Sequence, residues 1–482
     1  MRMKKTLLLM VLICCMSAGL RAESGTCGAN LSWEYANGTL TITGSGAMTN
    51  YESYDPAPWY SIRESIVQVS LPEELTTIGK NAFNSCTKLR LVTIPAKVTT
   101  IANNAFDYCQ VMSRVTFAQG STLQTIGECA FLRCYALTSI SLPSSLKTIK
   151  KEAFRYCNKL TSITIPASCS SIEQDAFREC SELSEVVLKE GVKTIASNVF
   201  TNCPNLTSVT LPNSLIAIGT EAFNGCSSLT HITIPKNIKS IAERTFASCT
   251  SLATISLPDS LTTIGYQAFY CSGLTEIDLP NSITSYANNC FEKCRNLTSV
   301  TIPAGITSIP NEMFIDCNNL TSVSIPEGVT TIGAGAFRNC NLLSVQLPNS
   351  LTKICSSSYY GNPNLSVLII PNNVTTIESS AFSRCYALRT VVFGNNVTTL
   401  HPYVFQYCSS LAEITLPTKL TILPTYCFEG CTSLSKVNLP EGLTTIEASA
   451  FANCSSLQTI KLPNSIRVLN GAFSGCMGLQ EI

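Results

Sequence analysis

Cysteine is the residue type in this sequence with the greatest capacity for chemistry. The chain has 482 residues and 25 cysteines, two of which, Cys14 and Cys15, lie in an apolar N-terminal stretch. Most of the others recur once every 23 residues, as Cys203, Cys226 and Cys249 do. Exported proteins usually oxidise their thiols, and thiolates also bind metal ions. A thiolate-rich zinc site, however, needs four ligands that converge on one point, and a single cysteine per repeat does not supply them.

The spacing of the cysteines also bears on disulfides. Equivalent atoms in the stacked turns of a repeat protein lie about 4.8 Å apart. This separation suits the Cα atoms of a disulfide but exceeds the usual Cβ separation of about 3.8 Å, because parallel Cα–Cβ bonds do not converge. We therefore expect buried free thiols that fill a narrow space in a core. A second cysteine in the same turn is also expected to be small core filler, and it occurs at Cys129/Cys134, Cys290/Cys294 and Cys427/Cys431.

Other catalytic groups do not cluster in the sequence. The two histidines, His231 and His401, lie in distant repeats, and both read as solvated surface side chains. There is no H-E-x-x-H, no glycine-rich phosphate loop and no paired zinc-finger spacing. The 32 basic residues nearly balance the 31 acidic ones, so no basic face for nucleic acid is indicated. The sequence predicts no catalytic residue, no metal site, no cofactor and no nucleic-acid partner.

One repeat dominates the chain from residue 71 onward. Its template is L-x-x-I-x-I-P-x-x-I-T-x-I-x-x-x-A-F-x-x-C-x-x, and two adjacent copies are LTSVTLPNSLIAIGTEAFNGCSS from Leu206 and LTHITIPKNIKSIAERTFASCTS from Leu229. The aromatic position of the template occurs 18 times, at Phe83, Phe106, Phe131, Phe154, Phe177, Phe200, Phe223, Phe246, Phe269, Phe291, Phe314, Phe337, Tyr359, Phe382, Phe405, Phe428, Phe451 and Phe473.

The template predicts a β-solenoid. L-x-x-I-x-I is typical of a short strand with one buried face, the proline ends that strand, and I-T-x-I indicates a second strand. One copy buries about six large apolar side chains, worth roughly 10–18 kcal/mol, whereas ordering 23 residues costs about 35 kcal/mol. A copy is therefore stable only when neighbours cover it on both sides. We predict a β-rich, right-handed leucine-rich-repeat superhelix of 18 copies with parallel sheets over residues 71–482.

The N-terminal segments differ from the repeat. Residues 1–22 have a basic start, an apolar stretch from Leu7 to Met16 and a plausible cut after Ala22 or Gly19, which predicts a signal peptide. No later stretch approaches 18 consecutive apolar residues, so no transmembrane segment is expected after its removal. Residues 23–70 read as a β cap whose hairpin turns at Asn37-Gly38. The sequence stops within a strand pattern at Ile482, which favours a fragment truncated at its C-terminus.

The outward strand positions lie two and four residues before the template proline, and most of them are Ser or Thr. In one copy they are acidic, Glu276 and Asp278. The copy at residues 359–363 reads YYGNP instead of F-x-x-C, and Val367, Ile369 and then Val392 occupy outward positions beside it. These three side chains predict an exposed apolar contact patch, with Tyr359 and Tyr360 as aromatic anchors. Drift of a degenerate repeat and simple strand preference are the alternative interpretations.

The repeat resembles that of the BspA-like leucine-rich-repeat surface proteins. The resemblance covers about 85% of the chain and rests on F-x-x-C followed by L-x-x-I-x-I-P, and on CGANLSWEYANGTLTITGSGAM followed by PWY near the N-terminus. It implies a secreted or cell-surface adhesin or recognition scaffold that binds extracellular proteins or cell-surface ligands. Two alternatives remain: a structural envelope protein that assembles laterally, and a carbohydrate-active or proteolytic enzyme. The ligand and the oligomeric state do not follow from the sequence.

Overall fold

The computed structural model describes residues 23–481, and the predicted signal peptide lies outside them. The chain forms two compact units, residues 1–192 and 193–482. Each unit is a stack of coils about 23 residues long, and most coils contribute a strand to each of two sheets. The prediction of a parallel-sheet β-solenoid is confirmed. The predicted boundary between cap and solenoid at residues 70 and 71 stays a prediction.

The strands of the first unit are β1 (Glu23–Gly28), β2 (Leu31–Ala36), β3 (Thr39–Gly44), β4 (Gly46–Ala47), β5 (Gln68–Ser70), β6 (Leu75–Ile78), β7 (Leu91–Ile94), β8 (Thr100–Ile101), β9 (Arg114–Phe117), β10 (Thr125–Ile126), β11 (Ser139–Ile140), β12 (Thr148–Ile149), β13 (Ser162–Ile165), β14 (Ser171–Ile172) and β15 (Glu185–Leu188), with a 3-10 helix at Tyr60–Ser65. The first sheet, whose strands precede the template proline, runs β1-β2-β3-β5-β7-β9-β11, and β13 pairs with β15. The second sheet, built from I-T-x-I, runs β4-β6-β8-β10-β12-β14.

The strands of the second unit are β16 (Thr194–Ile195), β17 (Ser208–Thr210), β18 (Ala217–Ile218), β19 (His231–Thr233), β20 (Ser240–Ile241), β21 (Thr254–Ser256), β22 (Thr263–Ile264), β23 (Ser285–Tyr286), β24 (Ser299–Thr301), β25 (Ser308–Ile309), β26 (Ser322–Ser324), β27 (Thr331–Ile332), β28 (Lys353–Ile354), β29 (Val367–Ile369), β30 (Thr376–Ile377), β31 (Thr390–Val392), β32 (Thr399–Leu400), β33 (Glu413–Thr415), β34 (Ile422–Leu423), β35 (Lys436–Asn438), β36 (Thr445–Ile446) and β37 (Val468–Leu469). First-sheet strands pair as β19-β21, β24-β26, β29-β31 and β33-β35. Every pair between these repeat strands is parallel.

In the cap, antiparallel strands form the start of the first sheet, and the parallel strands of the repeats follow them. The predicted hairpin is confirmed: β2 and β3 pair antiparallel and turn at Asn37 and Gly38, whose φ angles are 50° and 82°. The sequence analysis missed β1, which adds a further antiparallel strand outside β2. β3 then pairs in parallel with β5. Trp59 covers the first coil, because its ring stacks on Phe83 at 5.7 Å and its Nε1–H donates to the Ala82 carbonyl at 2.7 Å.

One aromatic ring per coil forms a buried column in each unit. In the first unit the rings from Phe83 to Phe177 lie 5.1–5.3 Å apart with planes within 15° of parallel. In the second unit the column runs from Phe200 to Phe473 with separations of 5.2–5.8 Å. These separations are those of offset-stacked rings. Each ring therefore needs a ring at the equivalent position of the next coil.

Besides the hydrogen bonds of the two sheets, a third set joins the turns that contain A-F-x-x-C in successive coils. The repeat template did not predict these bonds. The residues before Ala and before Cys take the left-handed backbone conformation in each coil from residue 81 to residue 475. That conformation turns every second N–H toward the next coil: Asn104 donates to Glu128 O at 2.8 Å and Phe106 to Ala130 O at 2.8 Å. Bulky β-branched side chains fit this conformation poorly, and none occupies any of these positions.

The first sheet is interrupted at two coils of the second unit. From Phe269 to Leu274, and again from Phe337 to Leu342, the connection is one residue shorter than the template. The following segments, 274–280 and 342–348, carry no assigned strand, whereas the second sheet keeps a strand in both coils: β23 pairs with β22, and β28 pairs with β27 and β30. The shortened connection thus coincides with loss of the first-sheet strand.

Substitution at a left-handed position tests the role of the turns. Ser380 has φ 57° and occupies the place that Gly335 takes two coils earlier. We expect Ser380→Val to lower the free energy of unfolding by about 1–2 kcal/mol, because valine is strained at positive φ, and Ser380→Gly to be neutral or slightly stabilising. Urea denaturation measures both variants. Thr376→Val, which places the same side chain on a strand of that coil, is the control, and an equal loss there would contradict the assignment.

Candidate binding surface

The exposed face of the first sheet presents rows of side chains, as the sequence predicts. In β24 and β26 the outward residues Ser299 and Thr301 lie beside Ser322 and Ser324 across a parallel pair, whereas Val300 between them is buried. Rows of hydroxyls can hydrogen-bond each other: Thr93 and Thr116 lie 2.9 Å apart, Oγ1 to Oγ1. Most of this face is therefore polar and small.

An apolar patch breaks the hydroxyl rows in the second unit. β29 and β31 pair so that Val367 faces Thr390 and Ile369 faces Val392. Val367, Ile369 and Val392 are 42%, 60% and 50% exposed. Ile369 and Val392 thus meet in the exposed rows, with Val367 next to them on the same strand as Ile369. The three predicted side chains lie together on the outward face, and we call them the valine–isoleucine patch.

The patch lies between two depressions of the surface. On one side a groove of about 610 Å³ is lined by Val392, Phe393, Glu413 and Thr415, among others. On the other side a groove of about 360 Å³ is lined by Ile369 together with residues of the coil before it, including Val345, Gln346 and Pro348. Ile369 and Val392 form the ridge that separates the two grooves. A partner that follows the sheet would contact both residues.

Charged groups lie beside the larger groove. Glu413 accepts a hydrogen bond from Lys436 across the β33–β35 pair, and this bond holds the pKa of the Glu413 carboxyl below its usual value. Both side chains are more than half exposed, so the pair is screened by water and contributes little to stability. Arg389 also lines the groove and is exposed.

The prediction that Tyr359 offers an aromatic anchor is wrong. Its ring takes the template position of phenylalanine, is fully buried, and stacks on Phe337 at 5.2 Å and on Phe382 at 5.3 Å. The template aligns it with the core, so its apolar body belongs to the column. Tyr360 is half-buried and lies in the turn that follows, away from the exposed strand face.

The acidic pair Glu276 and Asp278 does not join the patch. Both residues are exposed, and they lie in the first of the two coils without a first-sheet strand. That coil precedes β29 by four coils along the chain. The structure therefore separates the acidic residues from Val367, Ile369 and Val392, and they remain a distinct surface feature.

The cysteines of the repeat are hydrogen-bond donors as well as core filler. Cys occupies 16 of the 18 template positions. Its Sγ lies 3.0–3.5 Å from the carbonyl oxygen of the aromatic residue in the preceding coil, as Cys249 does to Phe223 at 3.2 Å. The same oxygen accepts the N–H of Cys226 in its own coil, also at 3.2 Å. The S–H is a weak donor, but here it supplies a second partner to a buried carbonyl.

The two exceptions to cysteine clarify the role of this position. Asn362 is fully buried, and its Nδ2 donates to Phe337 O at 2.8 Å, which replaces the S–H bond. Its Oδ1 also accepts from the Leu342 N–H at 3.1 Å in the shortened coil. Ser272 is the other exception, and its Oγ lies 3.3 Å from the Cys294 Sγ. Both replacements are small residues that form hydrogen bonds, and Asn362 keeps the bond to the aromatic carbonyl of the coil before it.

Most thiols of the repeat are buried, and burial suppresses their ionisation. No disulfide joins any of the cysteines between residues 23 and 481. Burial raises the pKa of Cys86, Cys249, Cys385 and Cys431 to about 12, from an ordinary value of 9.0. A thiol with such a pKa is almost entirely protonated at neutral pH and is neither a good nucleophile nor a metal ligand.

The histidines and the possible metal ligands of the described residues are dispersed. Between residues 23 and 481, no three His, Cys, Asp or Glu side chains are arranged to hold a metal ion. His231 lies on the exposed face of β19, where Nδ1 is 3.0 Å from the Thr254 Oγ1 and Nε2 is 3.2 Å from the Thr233 Oγ1. Over the same span no helix has the length and apolar character needed to cross a bilayer.

A sequence profile described as BspA type leucine-rich repeat region, with 6 copies, matches residues 59–184, 114–229, 193–320, 284–412 and 398–482. These matches together cover most of the chain. The chain belongs to the BspA-type leucine-rich-repeat family. The resemblance of the F-x-x-C repeat to this family is thereby confirmed, and the family is one of repeat scaffolds.

Solved structures of other leucine-rich-repeat proteins are similar to this chain. A protein from Bacteroides ovatus is 24% identical, with 92% of this chain and 98% of that chain covered and a TM-score of 0.45. A protein from Eubacterium ventriosum is 22% identical, with coverages of 94% and 95% and a TM-score of 0.37. A leucine-rich cell surface protein from Faecalibacterium prausnitzii is 23% identical, with coverages of 88% and 95% and a TM-score of 0.36. No curated protein sequence matches the chain.

The raised thiol pKa values predict a steep loss of stability at alkaline pH. Unfolded thiols ionise near their ordinary pKa of 9.0, whereas Cys249 in the folded protein has a pKa of about 12. Between these values the unfolded state binds fewer protons, so the free energy of unfolding falls as pH rises, by up to about 1.4 kcal/mol per pH unit for each such thiol. Below about pH 9 this contribution is fully present.

Urea midpoints between pH 7 and pH 11 test this expectation. Cys249→Ala removes one titrating thiol, so its stability should fall less steeply above pH 9 than that of the unmodified protein. Cys271→Ala, which changes a half-exposed thiol outside the buried column, is the control. Stability that stays constant from pH 8 to pH 10.5 would show that the column thiols do not stay protonated in the folded state.

Proposed function

We propose that this protein is an exported recognition scaffold, an adhesin, that binds a protein ligand on the exposed face of the first sheet of its second unit. The observation that carries the proposal is the meeting of Ile369 and Val392, 60% and 50% exposed, on a face that is otherwise mainly small and polar. Export rests on the sequence of residues 1–22. Family membership supports a scaffold role.

The energetics suit a modest contact. Val367, Ile369 and Val392 are already about half buried. Covering the rest of the three side chains contributes about 2–4 kcal/mol before the costs of association, because a fully buried Val or Ile contributes roughly 1.5–3 kcal/mol. The sequence alone suggests a contribution of about 3–6 kcal/mol from burying these side chains in a partner, because it assumes that they are fully exposed in the free protein. The grooves on either side must therefore supply further contacts to a ligand that binds tightly.

Lateral assembly is the second candidate, and the same patch favours it. Two copies that cover each other's valine–isoleucine patch would bury the same apolar area without a foreign ligand. The two functions differ in one property. An adhesin remains monomeric and binds a partner through this face, whereas an envelope protein that assembles laterally associates with itself.

A triple substitution tests the proposal. Val367→Ser, Ile369→Ser and Val392→Ser restore the residue type found in other coils, so the melting temperature should be unchanged. Binding of residues 23–482 to immobilised collagen, laminin and fibronectin and to intact epithelial cells should weaken by about tenfold or more, which corresponds to loss of about 1.4 kcal/mol. Surface plasmon resonance and cell-adhesion counts measure the effect.

The matched control removes similar side chains from the second sheet. Ile216→Ser, Ile422→Ser and Val468→Ser change residues that are 57%, 47% and 37% exposed, and they should leave binding intact. Equal binding by the patch variant and the control variant would rule out the patch as the recognition surface. Concentration-dependent dimers that the patch substitutions abolish would instead favour lateral assembly.

A further inference from the structure

A line of alternating arginine and tyrosine side chains crosses four successive F-x-x-C turns of the second unit. It consists of Arg338, Tyr360, Arg384 and Tyr407, and we call it the Arg–Tyr array. The Arg338 guanidinium carbon lies 5.0 Å from the centroid of the Tyr360 ring. The Arg384 guanidinium carbon lies 5.7 Å from the Tyr360 ring and 5.7 Å from the Tyr407 ring. Each guanidinium is thus held by the electron-rich faces of aromatic rings.

The backbone fixes the direction of the last two members. Arg384 and Tyr407 occupy the left-handed position before the template cysteine, with φ angles of 60° and 59°. Their N–H groups donate to Gln406 O and Glu429 O in the next coils, each at 2.7 Å. At the same position one coil later stands Gly430, where a Cβ would lie 2.4 Å from the Tyr407 Cδ1. The Tyr407 ring therefore rests on bare backbone, and only a glycine leaves room for it.

The arginines of the array lack the carboxylate partners that Arg155 and Arg178 have in earlier turns. Arg155 pairs with Glu152 at 3.0 Å and Arg178 with Asp175 at 3.2 Å, in each case with the residue three positions earlier. The residue three positions before Arg338 is Gly335. Within residues 23–481 neither Arg338 nor Arg384 forms an ion pair, and both side chains are exposed. Their N–H edges are available to an anion from solution.

Acidic groups mark the two ends of the array. One coil before Arg338, Asp316 accepts a hydrogen bond from Asn339 at 2.8 Å. One coil after Tyr407, Glu429 accepts from Gln406 at 2.6 Å. Between them the turns carry two uncompensated positive charges and the aromatic rings, with the Tyr386 side chain 44% exposed beside Arg384. The two arginines therefore lie between acidic groups of the turns on either side.

We propose that the Arg–Tyr array binds a linear polysaccharide that carries carboxylate or sulfate groups. A guanidinium donates two parallel N–H bonds to such a group, and its planar fork matches the oxygens better than an ammonium does. The apolar C–H faces of sugar rings pack on the part of Tyr407 that neither Arg384 nor the Gly430 backbone covers, because this residue is 36% exposed. Arg338 and Arg384 are two coils, about 10 Å, apart along the stack, so the array suits a polymer whose groups repeat.

The aromatic half of the array distinguishes this ligand from an acidic peptide. A peptide carboxylate would engage the arginines but would gain little from the ring faces, whereas a sugar ring uses both. The array lies in the turns and not on the first sheet, so the proposal is independent of the protein-binding surface and can fail separately from it. Arg133, whose guanidinium carbon lies 5.7 Å from the Tyr108 ring, also forms no ion pair with any described residue, but it is half-buried, whereas both arginines of the array are exposed.

The test is equilibrium binding of residues 23–482 to four polymers at 50 and 150 mM NaCl: heparin for sulfate, polygalacturonate for carboxylate, neutral dextran, and poly-glutamate. We expect binding to one or both anionic polysaccharides, with the comparison showing which anion is preferred, and none to dextran. Arg338→Lys with Arg384→Lys keeps the charge and should weaken binding about tenfold or more, because the bidentate bonds are lost. Tyr407→Gly, which matches Gly361 and Gly430, should weaken polysaccharide binding severalfold.

Controls separate the array from general charge. Arg114→Gln with Arg295→Gln removes two exposed positive charges elsewhere and should change binding less than twofold; melting temperatures confirm that every variant folds. The proposal is overturned if the chain binds neither anionic polysaccharide, or if the array variants bind as well as the control. It is also overturned if poly-glutamate binds as tightly as the polysaccharides and Tyr407→Gly has no effect, which would indicate an acidic-peptide site.

Discussion

The stacking of one aromatic ring on the next, at 5.1–5.8 Å within each unit, is the interaction on which the rest of the structure depends. A ring is fully buried only if the coils on both sides place their rings at the same point. This requirement fixes the positions of the apolar residues in every copy. It also brings the strands into parallel register and places the cysteine of each coil against the aromatic carbonyl of the coil before it.

The same constraint separates residues that cannot vary from residues that can. Inside the coil, even exceptions keep the physical role: Tyr359 substitutes for Phe in the column, and Asn362 substitutes for Cys as a donor. Outside, strand and turn positions meet only water and their equivalents one coil away. Function should therefore be found where the outer pattern departs from Ser and Thr, as in the valine–isoleucine patch and the Arg–Tyr array. Both departures lie in the second unit, near the copy whose core also departs from the template.

Periodicity made the sequence informative about the strands and about which side chains face outward. Successive side chains of a strand point to opposite faces. Because Leu368 and Val391 are buried, their neighbours Val367, Ile369 and Val392 are exposed, as the alternation predicted.

Features that depend on contact between coils were missed. The S–H donors, the turn hydrogen bonds and the pairing of Arg384 with Tyr407 join residues more than 20 positions apart, so no local pattern shows them. Comparing the two residues after each template Phe across successive copies would have revealed the Arg–Tyr alternation. Tyr359 was misplaced because an irregular motif was read as a loop, although its alignment with Phe already assigned it to the core.

The measurement that tests the stacking account most directly is native-state hydrogen exchange on Phe314→Ala. Phe314 stacks on Phe291 at 5.3 Å and on Phe337 at 5.6 Å. The account predicts that protection falls in the turns of all three coils, by up to about 3–5 kcal/mol, because each coil depends on both neighbours. Ser299→Ala, on the exposed face of the same coil, should leave protection unchanged. Loss of protection confined to the coil of Phe314 would show that the coils are stable individually and would contradict the account.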